Sequence, residues 1–222
     1  MAGRWVTNLC FHGIGSPNRE REPGESSYWV DQETFSRVLD VVAARSDVRL
    51  SFDDGNASDL AVALPELVDR GLNATFFPVA ARLDRPGNLT RTDVRALVTA
   101  GMTVGSHGMH HRSWRGMDAA AMSDELDRAR SEIAAAAGRP VTAAACPLGA
   151  YDRTVLLALR RRGYEAVYTS DRAGALERAW LQPRFSVRAT DDVEDVRAVL
   201  ERSSGAARAV RAAARIVAKS LR

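Results

Sequence analysis

Short apolar runs alternate with longer stretches in which apolar positions recur every three or four residues, almost from one end of the chain to the other. The short runs fall at 5–11, 48–52, 73–79, 102–105, 141–146, 165–169 and 183–187, and their length and composition predict strands. The periodic stretches at 31–44, 58–70, 92–100, 118–137, 152–162 and 191–202 predict helices. Ser58, Thr90 or Thr92, Asp118 and Asp152 stand where N-caps belong, and Gly71, Gly101, Gly138 and Gly163 where helices end. Regular alternation of the two patterns predicts an α/β fold with a mostly parallel sheet. Two connections are long and charged, 12–29 and 171–180, and long loops in an economical α/β chain tend to carry function.

At 222 residues the chain has the length of one domain, or a domain with an arm, and buries roughly 70–75% of its unfolded surface. A hydrophobic fraction of 45% against 27% charged residues excludes wholesale disorder. Cys10 and Cys146 both lie in apolar runs, which fits buried thiols in a reducing compartment better than a secreted disulfide framework, with a single bridge left open. No stretch approaches the ~20 apolar residues of a membrane span. The first residues, MAGRWVTNLCF, lack the apolar core of a secretory signal, so a cytoplasmic location is expected.

The surplus of 31 basic over 28 acidic side chains is unevenly placed. Arg208, Arg211, Arg215, Lys219 and Arg222 lie in 203–222, which holds no acid; without them residues 1–202 carry 26 basic against 28 acidic groups, a net −2. At 100° per residue the five fall within about an 80° arc, with Ala206, Val210, Ala214, Val217 and Leu221 opposite. The domain reading is therefore 1–202 as the main body and 203–222 as a basic amphipathic helix. That helix either docks its apolar stripe on the body or touches anionic lipid at the inner face of a membrane. Nucleic acid is not expected as a partner, because the body lacks a basic surface. Oligomeric state is left undecided.

Three segments carry chemistry. SFDDG, 51–55, ends a predicted strand, and adjacent carboxylates need a cation or donors nearby unless the segment is only an Asp-Gly turn. SHGMHH, 106–111, follows another strand, and His107 and His111 are spaced so that both can reach one ion. With an aspartate they would form a two-histidine, one-carboxylate set, as in hydrolytic zinc sites or non-haem iron oxygenases; the alternative is a polar surface turn. AACPLGAYD, 144–152, forms a turn whose N–H groups could face a pocket, as an oxyanion hole requires.

Taken together, SFDDG, then H-x-x-x-H, then a proline-glycine strand end resembles the polysaccharide deacetylase family, carbohydrate esterase family four, over roughly residues 5–200. The resemblance implies a distorted (β/α)7-type barrel and metal-dependent removal of an acetyl group from an N-acetylated sugar, polysaccharide or glycoconjugate precursor, with metal-bound water as nucleophile. It makes Asp53 the general base, and Asp54, His107 and His111 the ligands of a divalent metal, most often zinc, with iron, cobalt or nickel as alternatives. It also gives the oxyanion donor as the N–H of Leu148.

Two departures stand out. Ala145 replaces the family's arginine, and the late Leu-x-His is absent, all four histidines lying before residue 112. In a permuted branch, that of bacterial exopolysaccharide N-deacetylases, the acid histidine comes from the first strand, which N-L-C-F-H resembles. His12 is thus the candidate general acid, the alternative being a structural histidine. Arg184 and Asp171, near late strand ends, either orient Asp53, contact sugar hydroxyls or a phosphate, or make surface ion pairs. Trp114 either stacks on a sugar or anchors packing. Glu22, Glu25, Tyr28 and Trp29 lie in the long first loop, where substrate selection is expected. The rival functions are a hydrolase of another amide or of an O-acetyl ester, and a catalytically inactive carbohydrate-binding protein.

Overall fold

The computed structural model describes residues 3–17 and 22–203. Strand β1 (Trp5–Phe11) is followed by a small ribbon, β2 (Gly13–Ile14) paired with β3 (Trp29–Val30). Then come β4 (Val48–Asp54), β5 (Ala74–Pro78), β6 (Thr103–Val104), β7 (Ala143–Ala145), β8 (Ala166–Thr169), β9 (Ala175–Leu176) and β10 (Leu181–Ser186). The main sheet runs β6-β5-β4-β1-β10-β8-β7 with every neighbouring pair parallel, while β9 lies antiparallel beside β1. Its two ends meet at Ser106, whose N–H donates to the Ala143 carbonyl at 2.9 Å and whose carbonyl accepts from Ala145 N–H at 2.9 Å. The result is the (β/α)7-type barrel, nearly closed, with strands in chain order around it.

Strand alternation sorts the side chains. Leu9, Phe11, Leu50, Phe52 and Phe76 face outward into one core with Phe35, Val38 and Leu39 of helix α1 (Gln32–Ala43). Phe52 stacks on Phe76 at 4.7 Å and 12°, and Phe11 meets Phe35 edge-on at 5.1 Å, both favoured aromatic geometries. Phe77, Ala143, Ala145 and Tyr168 form a separate cluster. Gly105 makes room for it, since a Cβ there would lie 2.3 Å from the Phe77 ring.

Helices α2 (Leu64–Asp69), α3 (Arg91–Thr99), α4 (Ala119–Met122), α5 (Ala129–Ala137), α6 (Arg153–Arg161) and α7 (Val193–Ser203) complete the shell. Thr90, Asp118 and Asp152 cap them as expected, each accepting from the N–H three residues on. Ser58 does not; its hydroxyl accepts instead from Ile14 N–H at 3.2 Å, tying β2 to the segment after β4. The single helices expected at 58–70 and 118–137 are each interrupted by a π-turn, Asp59–Ala63 and Ser123–Arg128. In the first, Pro65 has no N–H to continue the ladder back to residue 61. The expected loops at 12–29 and 171–180 contain the short strands β2, β3 and β9. Close approach allows the β2–β3 pairing, for a Cβ on Gly13 would lie 2.2 Å from the Trp29 ring. Cys10 and Cys146 are buried free thiols. The basic stretch read as a helix at 203–222 lies outside the described residues beyond Ser203, the last residue of α7.

Candidate active site

Strand β4 delivers two carboxylates to the C-terminal mouth of the barrel. Alternation alone would send Asp53 and Asp54 to opposite faces, but Asp54 is left-handed at φ 76° and Gly55 continues the turn at φ 72°. Asp53 is gripped by Arg184 from β10, whose guanidinium donates to Oδ1 and Oδ2 at 2.7 Å each, while the same Nη1 donates to Ser51 Oγ at 3.1 Å. Both partners are buried, Arg184 wholly. Burial, the largest single influence, raises the carboxyl, yet the charges of Arg184 and His107 and the Arg184 hydrogen bonds together outweigh it and hold Asp53 well below the usual carboxylate range. Asp59, wholly buried in the π-turn that follows, goes the other way: burial and the charges of Asp54 and Asp53 favour its neutral form.

The loop after β6 brings in the imidazoles. His107 N–H donates to Pro78 O, while Gly108 O and Met109 O accept from Ala80 and Ala81 N–H, so the loop is sewn to the segment after β5. His107 Nδ1 lies 3.0 Å from Ala145 O. A carbonyl only accepts, so Nδ1 carries the proton and Nε2 keeps its lone pair. That Nε2 is 3.7 Å from both Asp53 Oδ2 and Asp54 Oδ1. Burial, opposed by the Asp53 charge, pushes His107 down to about 4, so the ring is neutral near pH 7. His111, left-handed at φ 54°, sets its Nδ1 2.7 Å from Glu22 Oε2 and its Nε2 3.3 Å from Asp54 Oδ1.

Two Nε2 lone pairs and one carboxylate oxygen thus converge, the three groups offering ligand atoms within 4.8 Å of one another. Asp54 Oδ1 is buried without a hydrogen-bond donor among the described residues. An orphaned carboxylate oxygen flanked by two proton-free ring nitrogens fits a divalent cation of the nitrogen- and oxygen-binding kind.

The ligand loop has a second anchor. Glu125, wholly buried in the second π-turn, accepts from Met109 N–H at 2.8 Å, His110 N–H at 3.2 Å and Trp114 Nε1–H at 3.2 Å, and pairs with Arg112 at 2.9 Å. Three donors and a guanidinium compensate the buried charge, and in return fix the backbone between the two ligand histidines.

Asp53, Asp54, His107 and His111 line one cavity of about 440 Å³ at the C-terminal strand ends, with His12, Tyr28 and Leu148. The His12 ring sits 4.8 Å from that of Tyr28. Leu148 is left-handed at φ 56° and 65% exposed. Around it the N–H groups of Cys146, Gly149 and Ala150 are spent on Tyr168 O, Cys146 O and Pro147 O, whereas the Leu148 N–H has no acceptor among the described residues.

Three residues for which substrate contact was one expectation are placed otherwise, Arg184 and Trp114 in their alternative roles of orienting Asp53 and anchoring packing. Arg184 has no exposed surface and is committed to Asp53 and Ser51 inside the barrel. Trp114 is also wholly buried, packed with Tyr151 and Leu126, leaving no ring face for a sugar. Asp171 accepts from Tyr151 Oη–H at 2.6 Å and Thr169 Oγ1–H at 2.7 Å and does not line the cavity; its neighbour Ser170 does. Sequence reasoning missed Glu125 and left Glu22 without a role. The first had a readable signal, a carboxylate at 125 in register with the buried Ala129, Ile133 and Ala136.

A parallel (β/α)7 barrel with two histidines, a carboxylate pair and a turn amide gathered at its C-terminal mouth defines a hydrolase-like site on a barrel scaffold. The sequence pattern of the polysaccharide deacetylase family matches residues 41–167, and the chain belongs to that family. YxkH of Bacillus subtilis (strain 168), named as a polysaccharide deacetylase, is 22% identical over 181 residues, 75% of this chain and 65% of that protein. The chain thus spans just under two thirds of that relative's length. Three solved structures share the fold. A polysaccharide deacetylase from Bacillus anthracis superposes with a TM-score of 0.78 at 17% identity, covering 89% of this chain and 69% of that one. The Streptococcus pyogenes deacetylase PplD, solved in complex with acetate, gives 0.76 at 18%, covering 90% and 99%. IcaB from Ammonifex degensii gives 0.74 at 20%, covering 90% and 98%.

Proposed function

We propose that the protein is a metal-dependent deacetylase that hydrolyses the acetamide of an N-acetylated saccharide or polysaccharide. The observation that carries this reading is the convergence of Asp53, Asp54, His107, His111 and His12 on one cavity beside the uncommitted N–H of Leu148. Family membership and the acetate held by PplD point the same way, acetate being the product such a reaction releases.

Asp54, His107 and His111 would hold the cation. Zinc suits the two-imidazole, one-carboxylate donor set, and when bound it supplies a Lewis acid that acidifies water and polarises a carbonyl oxygen. Asp53, kept ionised by Arg184, accepts the proton of the attacking water. As the acetamide carbon becomes tetrahedral, the Leu148 N–H donates to the developing oxyanion, the position where one preorganised donor is worth about 3 kcal/mol. His12 then protonates the leaving amine. Its ring lies 4.8 Å from that of Tyr28, and just past the end of β1 it offers a nitrogen within 4.8 Å of an Asp53 oxygen.

The test is acetate release from N-acetylglucosamine oligomers by zinc-reconstituted protein, with chelator-stripped protein and Asp53→Asn alongside. Stripping should abolish release and zinc or cobalt restore it, while Asp53→Asn should retain the metal and lose about 10²–10⁴-fold in rate. A protein that frees no acetate from any N-acetylated saccharide after zinc, cobalt or iron is supplied overturns the proposal.

A further inference from the structure

Resting on the metal reading above, we infer that Glu22 is a positioning residue of the metal centre, and that the stretch 22–28 leading into β3 is thereby part of that centre. Both oxygens of Glu22 lie against His111 Nδ1, at 2.7 and 2.8 Å. The carboxylate sits on the far side of the ring from Nε2, which faces Asp54 at 3.3 Å. Glu22 is therefore not itself a ligand in this arrangement. As an acceptor it fixes the proton on Nδ1 and aims the Nε2 lone pair at the position the ion would take, a device that raises ligand basicity.

The two imidazoles reach this state by different means. His107 is held by a main-chain carbonyl of β7, an anchor that cannot leave without opening the barrel. Among the described residues His111 Nδ1 is held by a side chain borrowed from a distant loop, 89 residues away in sequence. Arg82 makes that loan specific. Its Nη2 grips Glu22 Oε1 at 2.5 Å while its Nη1 stands 3.7 Å from Asp54 Oδ1, so one guanidinium bridges the positioning carboxylate and the ligand carboxylate. Arg82 is itself fixed to the ligand loop, because its own turn, Ala80–Arg82, donates to Gly108 O and Met109 O. Glu22 also lines the cavity, with Gly24, Ser27 and Tyr28 of the same connection. The segment that walls the substrate cavity is thus the one that completes the metal centre, so metal retention depends on whether that wall is in place.

The experiment measures zinc affinity by chelator competition and cobalt(II) d–d absorption on the full chain, for the wild type, Glu22→Ala, Glu22→Gln and His111→Ala. Thermal unfolding of each metal-free form identifies any variant that fails to fold. Glu22→Ala should bind zinc about 10–100-fold more weakly and show an altered cobalt spectrum. Glu22→Gln, whose amide oxygen still accepts from Nδ1–H, should recover part of both, which a merely structural role would not produce. If Glu22→Ala matches the wild type in affinity and spectrum while His111→Ala loses the metal, the positioning role is wrong and the metal reading stands. A wild-type chain that takes up neither metal overturns both. If Glu22→Ala does not fold, Glu22→Asp, one methylene too short to keep the contact with Nδ1, takes its place, and a zinc affinity and cobalt spectrum unchanged from the wild type refute the inference.

Discussion

Replacing Arg184 by methionine removes a charge from the interior of the barrel while keeping most of the stem's volume. Asp53 then loses two hydrogen bonds of 2.7 Å and its counter-charge, in a place where the pair has almost no contact with water. Breaking a buried pair in this way costs about 3–5 kcal/mol at neutral pH, because the surviving charge is left uncompensated. The pH dependence identifies the cause. In the wild type the Asp53 carboxyl is depressed, so its contribution is in place above the unfolded value of ~3.9 and is lost only as pH falls through the still lower folded value. Without Arg184, burial raises the carboxyl instead. Its contribution is then fully present below the unfolded value and lost as pH rises. The deficit of Arg184→Met should therefore be largest at pH 7–8 and shrink on acidification, by up to about 1.4 kcal/mol per pH unit. Urea unfolding of the wild type, Arg184→Met, Asp53→Asn and the double variant between pH 5 and 8 measures both the slope and the coupling. The double variant should cost several kcal/mol less than the two single losses combined. A deficit that is independent of pH, or losses that simply add, would refute the argument that Arg184 acts through the Asp53 charge.

Trp114→Ala should lower stability by about 3–5 kcal/mol in chemical denaturation, since the ring is wholly buried, and should leave the KM for an acetylated saccharide unchanged. A raised KM at unchanged stability would instead put the indole against substrate. At position 148 the side chain is exposed and the backbone left-handed, so Leu148→Gly should fold as well as the wild type and keep turnover, while β-branched Leu148→Val should be less stable by about 1–2 kcal/mol. Loss of acetate release in the glycine variant would show that the leucine side chain, not its amide, is the working group.

Much of this was legible locally. Strand β1 occupies the residues its apolar run predicts, and Thr90, Asp118 and Asp152 cap helices because capping is a matter of three residues. The carboxylates and imidazoles were legible as candidates because each group is compact in sequence, at 53–54 and 107–111. What was not legible depends on distance. Arg184 meets Asp53 across 131 residues and Glu22 meets His111 across 89, and no periodicity encodes which strand end or loop will arrive there. Trp114 follows a polar turn and carries arginines on either side, so its neighbours gave no sign of burial. Arg112 and the indole both turn to Glu125, the buried charge that explains the turn, while Arg115 reaches the Tyr151 carbonyl. The π-turns were hidden for a related reason: an extra residue in a helical turn leaves the apolar spacing almost unchanged over so short a run.

The barrel's last junction is its narrowest. Between β6 and β7 the hoop is closed by the two main-chain bonds of Ser106, and the His107 imidazole crosses the same gap to Ala145 O. Of the three bonds at this seam one belongs to a proposed metal ligand, so an ion on that ring would rivet the hoop shut. Occupancy and closure would then be linked equilibria, each favouring the other by the same free energy. Amides at 106 and 145 would exchange with solvent deuterium more slowly as the ion is added, while those of β1, in the opposite wall, would hardly register it.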